Sequence, residues 1–203
     1  DSMDKSILGL QGYLQDIIDS TTELCVAYKL NMAFYERYGS KGYALMEKIV
    51  EYISDRNLTI ADGKRGDIGN TTEKYAIATF EKMGFDSITV SPYMGRDSII
   101  PFIKNKNKGA FVLCLTSNQS ALDFQFHKEG EYTLYQKVAK MAVELNSNDN
   151  IGLVVGATKP EYMENLIGFS KGLHWLIPGI GAQGGNLEKA LTICNNSDKI
   201  GII

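Results

Sequence analysis

Seven short apolar runs, spaced along 203 residues, leave this chain few ways to fold. They lie at 25–30, 57–61, 87–91, 110–115, 151–156, 174–177 and 200–203. Most are apolar at consecutive positions, not alternate ones. That is the mark of strands buried on both faces, in a parallel sheet covered by helices. Between them lie stretches with helical spacing at 6–19, 42–54, 72–83, 97–104, 132–145, 160–168 and 187–194. In the first of these, Ile7, Leu10, Leu14, Ile17 and Ile18 fall on one stripe. The repeat averages about 29 residues, close to that of a (β/α)8 TIM barrel, which takes ~250 residues in all. The expected fold is therefore α/β, a (β/α)8 TIM barrel whose first strand and last helix are missing from the chain, built as one domain over 1–203. An open doubly wound sheet would be marked by GxGxxG after its first strand, and none occurs.

Composition narrows the partners. Hydrophobic residues make up 44% and charged residues 22%, with a formal net charge of −3 and no long basic run. A nucleic-acid surface or an anionic membrane is not expected. No apolar stretch approaches the roughly 18 residues of a membrane span, and the polar first residues do not read as a signal peptide. Cys25, Cys114 and Cys194 sit far apart in apolar surroundings, which predicts reduced core thiols in a cytoplasmic protein. His127 and His174 lack metal-binding spacing, so no metal site is expected and both are assigned structural or exposed roles.

Polar residues collect just after the strand runs, at the end where a barrel builds its active site. These segments are Lys29-Leu30-Asn31, Asp62-Gly63-Lys64, Ser91-Pro92-Tyr93, Thr116-Ser117-Asn118, Gly156-Ala157-Thr158 and Pro178 to Gly185. Asp62 and Lys64 are two apart on a strand and so share a face. Asp67 follows past Gly66, and Thr71 and Thr72 are predicted to cap the next helix. Asp62 with Lys64 alone equally reads as a structural ion pair, and Lys29 alone as a lysine extending from a strand end. Lys29, Lys64, Asp62 and Asp67 together, with Asn70-Thr71 following, read as a site in which each charge meets its opposite. The four glycines from Pro178 to Gly185 precede a helix start, an arrangement suited to phosphate, and Gln183 can add donors. No GxxxxGK[ST] occurs, which excludes a nucleotide-hydrolysing P-loop. Thr116 and Ser117 could form a hydrogen-bonding edge for a heterocycle. Trp175, Phe34, Tyr35 and Tyr43 are expected to be packing residues.

These residues resemble the orotidine 5′-monophosphate decarboxylase family. Its DxKxxD signature stands here as Asp62-x-Lys64-x-x-Asp67, continued by Ile68-Gly69-Asn70-Thr71. The resemblance extends in order over Lys29 to Tyr35, Leu115 to Asn118, Val155 to Thr158 and Pro178 to Gly185, and with Asn31 and the long glycine loop it is similar to a branch found in some bacteria and malaria-type parasites. It implies a cofactor-free, metal-free barrel that converts orotidine 5′-monophosphate to UMP and CO2 as a homodimer with shared sites. Lys29, Asp62 and Lys64 would come from one subunit; Asp67, Ile68 and Thr71 would reach the neighbour's site. Asn31 would contact the ribose, Thr116 and Ser117 the pyrimidine, and Pro178 and Gln183 the region from ring to phosphate. Lys64 would deliver the proton to the carbon that loses its carboxyl group. In the family a first strand ending in Asp would precede Asp1, and a phosphate-binding Arg would follow Ile203. The D-K-D signature alone is shared with sugar-phosphate decarboxylases and epimerases, which often use Mg²⁺, and a non-catalytic nucleotide-binding fragment is a further alternative.

Overall fold

A computed structural model describes residues 6–181, 183–195 and 201–202. In chain order the helices and strands are α1 (Ile7–Thr21), β1 (Ala27–Asn31), α2 (Met32–Glu36), α3 (Ser40–Ile53), β2 (Leu58–Arg65), α4 (Gly69–Ile77), β3 (Ser87–Val90), α5 (Ile100–Ile103), β4 (Gly109–Leu115), β5 (Lys128–Glu129), β6 (Tyr132–Thr133), α6 (Leu134–Leu145), β7 (Ile151–Val155), α7 (Pro160–Ile167), β8 (His174–Leu176), α8 (Leu187–Asn195) and β9 (Gly201–Ile202). Seven strands form one sheet in the order β1-β2-β3-β4-β7-β8-β9. Every pair in it is parallel. Strands β5 and β6 form a separate small antiparallel hairpin. Neighbours in sequence are neighbours in the sheet, as in the wall of a (β/α)8 barrel. Among the described residues no pairing joins β9 back to β1.

The continuous apolar runs resolve into two faces. Leu30, Ala61, Ile88, Val90, Val112, Leu153, Val155 and Trp175 face the helices, in one large core with Leu45, Met46, Ile49 and Ile53 of α3 and Phe102 of α5. Ile60, Phe111, Val154 and Leu176 form a second, smaller cluster, with Ala27 and Leu113 against it. These alternate with the first set along each strand, so they mark the opposite, inner face. On β1 that face continues through Lys29 to Asn31, and on β2 through Ile60 to Asp62. The inner face thus turns polar at the carboxyl ends of the strands.

Most predicted elements are present, with shifts that have local causes. The helix expected over 97–104 is broken: a 3₁₀ turn spans Arg96–Ser98 and α5 starts afresh at Ile100. Pro101 at the start of α5 explains this, since proline suits a first turn and disrupts an interior. The helix expected from 132 begins at Leu134, because Tyr132 and Thr133 pair in the β5–β6 hairpin. There the Gln136 side-chain Oε1 accepts the Thr133 N–H at 2.9 Å. The helix expected at 72–83 starts three residues earlier, at Gly69, and ends in a π turn over Ala78–Lys82. Thr71 and Thr72 therefore lie within α4 and do not cap it. Of the expected packing aromatics, Trp175 is buried and donates to Ser170 Oγ, whereas Phe34 is 66% exposed. No disulfide joins the three cysteines; Cys114 and Cys194 are buried, whereas Cys25, expected in the core, is only half-buried. No helix among the described residues is long and apolar enough to cross a membrane. Asp1 and Ala182 lie outside the described residues.

Gly152 is confined locally by its two strand neighbours. It pairs with Phe111 on one side and His174 on the other. A Cβ there would stand 2.5 Å from the Phe111 ring and 2.7 Å from the His174 carbonyl oxygen. Gly152→Ala is therefore expected to destabilise the protein by about 1–3 kcal/mol in urea unfolding, the usual cost of overpacking. An unchanged midpoint would mean that Phe111 has room to move.

Candidate active site

The site is organised by a carboxylate that water scarcely reaches. Asp62, on β2, is 8% exposed. Asn31 on β1 is its register partner, and Lys29, two residues earlier, lies on the same face. Lys29 Nζ donates to Asp62 Oδ2 at 2.9 Å and Lys64 Nζ to Oδ1 at 2.5 Å. Lone burial of a carboxylate would cost several kcal/mol, and here each oxygen has its own ammonium partner. Burial pushes the Asp62 carboxyl up, but the hydrogen bonds and charges of Lys64 and Lys29 outweigh that and hold it below its ordinary value. Lys64 is 50% exposed, so its ammonium is anchored at Asp62 yet open to a ligand.

A third contact on Asp62 comes from Thr89, which motif reading passed over. Its Oγ1 donates to Asp62 Oδ1 at 3.0 Å and accepts the Lys64 N–H at 2.9 Å. The available signal was a β-branched hydroxyl on the inner face of the strand beside the D-x-K strand. Of the Ser91-Pro92-Tyr93 segment that follows, Tyr93 is 82% exposed.

Asp67 is not joined to the lysines within the chain. Its Oδ1 accepts the N–H of Ile68 at 2.8 Å. Ile68 is 56% exposed and Thr71 is also exposed, so Asp67, Ile68 and Thr71 follow β2 onto an accessible flank. Asn31 caps α2, its Oδ1 accepting the Ala33 N–H at 3.2 Å, which leaves its NH2 as a donor.

The opposite rim is built from two loops that meet. Thr116 is held by Gln125, which accepts the Thr116 N–H at 2.9 Å and donates to Thr116 Oγ1 at 2.7 Å. Gln125 was also missed, because it lies in a connection without a motif. Ser117 Oγ donates to Gln183 Oε1 at 2.8 Å, tying the end of β4 to the glycine loop. That loop is fixed where Pro178 O accepts the Ala157 N–H and Gly179 O accepts the Gly185 N–H. Gly179 and Gly181 take φ of 105° and 87°, in the left-handed region that favours glycine. A Cβ on Gly185 would lie 2.5 Å from Gly179 O. A cavity of about 470 Å³ lies elsewhere on the inner face, lined by Val26, Leu58, Phe111 and His174, and includes no residue of the charged cluster. Among the described residues no three of His, Cys, Asp and Glu gather to hold a metal.

Parallel strands flanked by helices, with a Lys-Asp-Lys cluster at their carboxyl ends, define an α/β-barrel protein with its charged machinery in the usual place. Within that class the chain belongs to the Orotidine 5′-phosphate decarboxylase / HUMPS family, whose sequence profile matches residues 10–192. A relative from Christiangramia forsetii named orotidine 5′-phosphate decarboxylase is 49% identical over 176 residues, which are 85% of this chain and 65% of the relative. The chain thus spans just under two thirds of that relative's length. The solved structure of Leishmania donovani UMP synthase superposes with a TM-score of 0.92 at 37% identity, covering 100% of this chain and 46% of that one. The structure of Leishmania donovani OMP decarboxylase gives 0.90 at 34% identity, covering 100% and 81%.

The Asp62 clamp has a defined pH signature. A carboxyl whose folded pKa is depressed adds stability that is present above the unfolded value of about 3.9 and lost as pH falls through the folded one. A ¹³C NMR titration of the Asp62 carboxyl is expected to show a midpoint below that ordinary value. A midpoint at or above it would show that burial outweighs the two lysines.

Proposed function

We propose that this chain is the catalytic barrel domain of an orotidine 5′-phosphate decarboxylase, converting orotidine 5′-monophosphate to UMP and CO2 without metal or cofactor. The observation that carries this reading is the buried carboxylate of Asp62, held between Lys29 and Lys64 at a strand's carboxyl end. The identity to curated decarboxylases supports it over the sugar-phosphate branch of the same family. So does the donor set, because two ammonium groups beside Asp62 repel a divalent cation.

In the proposed reaction the C–C bond to the carboxyl group breaks, its electron pair stays on pyrimidine C6, and CO2 leaves. A vinylic carbanion there has no adjacent carbonyl to take up its charge by enolisation. Fixed charges must stabilise it, and their value rises when water is excluded. The Lys64 ammonium sits beside the developing carbanion and then transfers its proton to C6. Asp62 lies against the departing carboxylate, where like charges disfavour the bound ground state. Lys29 keeps Asp62 ionised and in place. Asn31 donates to the ribose, Thr116 and Ser117 contact the pyrimidine, and Pro178 and Gln183 serve the path from ring to phosphate. Binding energy from the distant phosphate is used to order the site about the reacting carbon.

The proposed protein works as a homodimer in the cytoplasm, with Asp67, Ile68 and Thr71 completing the partner's site. Exposure of Phe34, Ile68 and Tyr93, which follow the carboxyl ends of β1, β2 and β3, supports the pairing.

Lys64→Ala in the full-length protein is expected to lower kcat by about 10³-fold or more, with the far-ultraviolet circular dichroism unchanged. Loss of orotidylate absorbance measures it, and EDTA is expected to leave wild-type turnover intact. Near-normal turnover of the variant, or abolition by EDTA, would refute the mechanism. A second test addresses the shared site. Mixing inactive Lys64→Ala and Asp67→Ala chains is expected to restore about a quarter of wild-type activity, since half the dimers carry one intact site. No recovery after subunit exchange would place Asp67 in its own chain's chemistry.

A further inference from the structure

The ladder between β2 and β3 loses its register at the site. Ala61 pairs with Ile88 and Arg65 with Val90. Asp62, Gly63 and Lys64 therefore stand opposite a single residue, Thr89. Bulges of this kind re-aim side chains beside active sites. Within this one Lys64 takes a φ of 46°, the left-handed region, which is unfavourable for a side chain with a Cβ. Such a conformation persists only when its surroundings hold it.

The holding contact is a side chain. Thr89 Oγ1 accepts the Lys64 N–H at 2.9 Å, doing for the bulge what a carbonyl does in a regular ladder. The same hydroxyl donates to Asp62 Oδ1 at 3.0 Å, the oxygen that Lys64 Nζ reaches at 2.5 Å. A hydroxyl can accept and donate at once. Thr89 thereby connects the backbone of Lys64 to the carboxylate that its ammonium uses. It is itself well fixed, being 1% exposed, β-branched and paired with Phe111 of β4.

We infer that Thr89 is a positioning residue, whose hydroxyl sets the bulge that turns Lys64 toward Asp62 and holds the carboxylate oxygen they share. The inference deepens the decarboxylase reading and rests on it. Thr89 touches neither Asn31 nor Gln183, the groups proposed to grip ribose and phosphate. Its loss therefore falls on the reacting groups and spares substrate capture. Valine in its place keeps the shape and removes both hydrogen bonds. Serine keeps the hydroxyl.

The test uses the full-length protein, with CO2 release from orotidylate by wild type as the baseline. Thr89→Val is expected to lower kcat about 10- to 100-fold with KM within about threefold, the range that a small misplacement of reacting groups produces. Thr89→Ser is expected to recover kcat to within about threefold of wild type. Full turnover by Thr89→Val, or a serine variant as slow as the valine one, would overturn the inference. If the valine variant does not fold, Thr89→Ala replaces it, and equal kcat values for the alanine and serine variants would overturn the inference in the same way. Exchange of the Lys64 amide, followed by NMR on ligand-free protein, separates this idea from the function it rests on. If wild type releases no CO2, the decarboxylase reading fails on its own. Faster Lys64 exchange in the valine variant still supports the positioning contact, and unchanged exchange removes it.

Discussion

A carboxylate removed from water between two ammonium groups is the interaction on which this molecule's organisation turns. Asp62 is tolerable at its position because Lys29 and Lys64 each take one oxygen. Removing either lysine would leave a buried carboxylate oxygen without its charged partner. The lysines depend on it in return, for without Asp62 two like charges would share a strand end. The half-exposed ammonium of Lys64 is therefore held where a ligand can meet it, with no need for reorganisation when charge develops.

The sheet supplies the precision. Parallel register sets Asn31 beside Asp62, and alternation sets Lys29 on the same inner face. The bulge against Thr89 then changes the direction of the chain within three residues, so that Lys64 faces back to Asp62 while Asp67 continues outward. Across the rim, the Ser117–Gln183 hydrogen bond ties a potential ring-binding edge to the glycine loop. A fixed charged wall and an opposing pair of joined loops are what a reaction driven by electrostatic preorganisation needs.

Much of this was legible in the residues. Continuous apolar runs pointed to a parallel sheet, and all seven are found as strands of one sheet. Lys29, Asp62 and Lys64 were picked out and do converge. What escaped notice did so for physical reasons. A strand buried on both faces carries no alternation, so the inner set of Ile60, Phe111, Val154 and Leu176 could not be told from the outer one. Thr89 is separated from Asp62 by 27 residues, and no local pattern announces a bulge that depends on a neighbouring strand. Helix α2 is five residues long and follows directly on a strand whose last residue, Asn31, doubles as its cap. Thr71 and Thr72 looked like caps because threonine favours that position, yet the backbone turned at Gly69, where φ is 53°.

A crystal structure of the full-length protein with UMP bound would test the central claim most directly, through the distance from Lys64 Nζ to pyrimidine C6. Proton delivery from a clamped lysine requires a near-attack separation of about 3–3.5 Å with Asp62 still bonded to both lysines. A pyrimidine lying away from β2, or a Lys64 ammonium turned from the ring toward solvent, would contradict it.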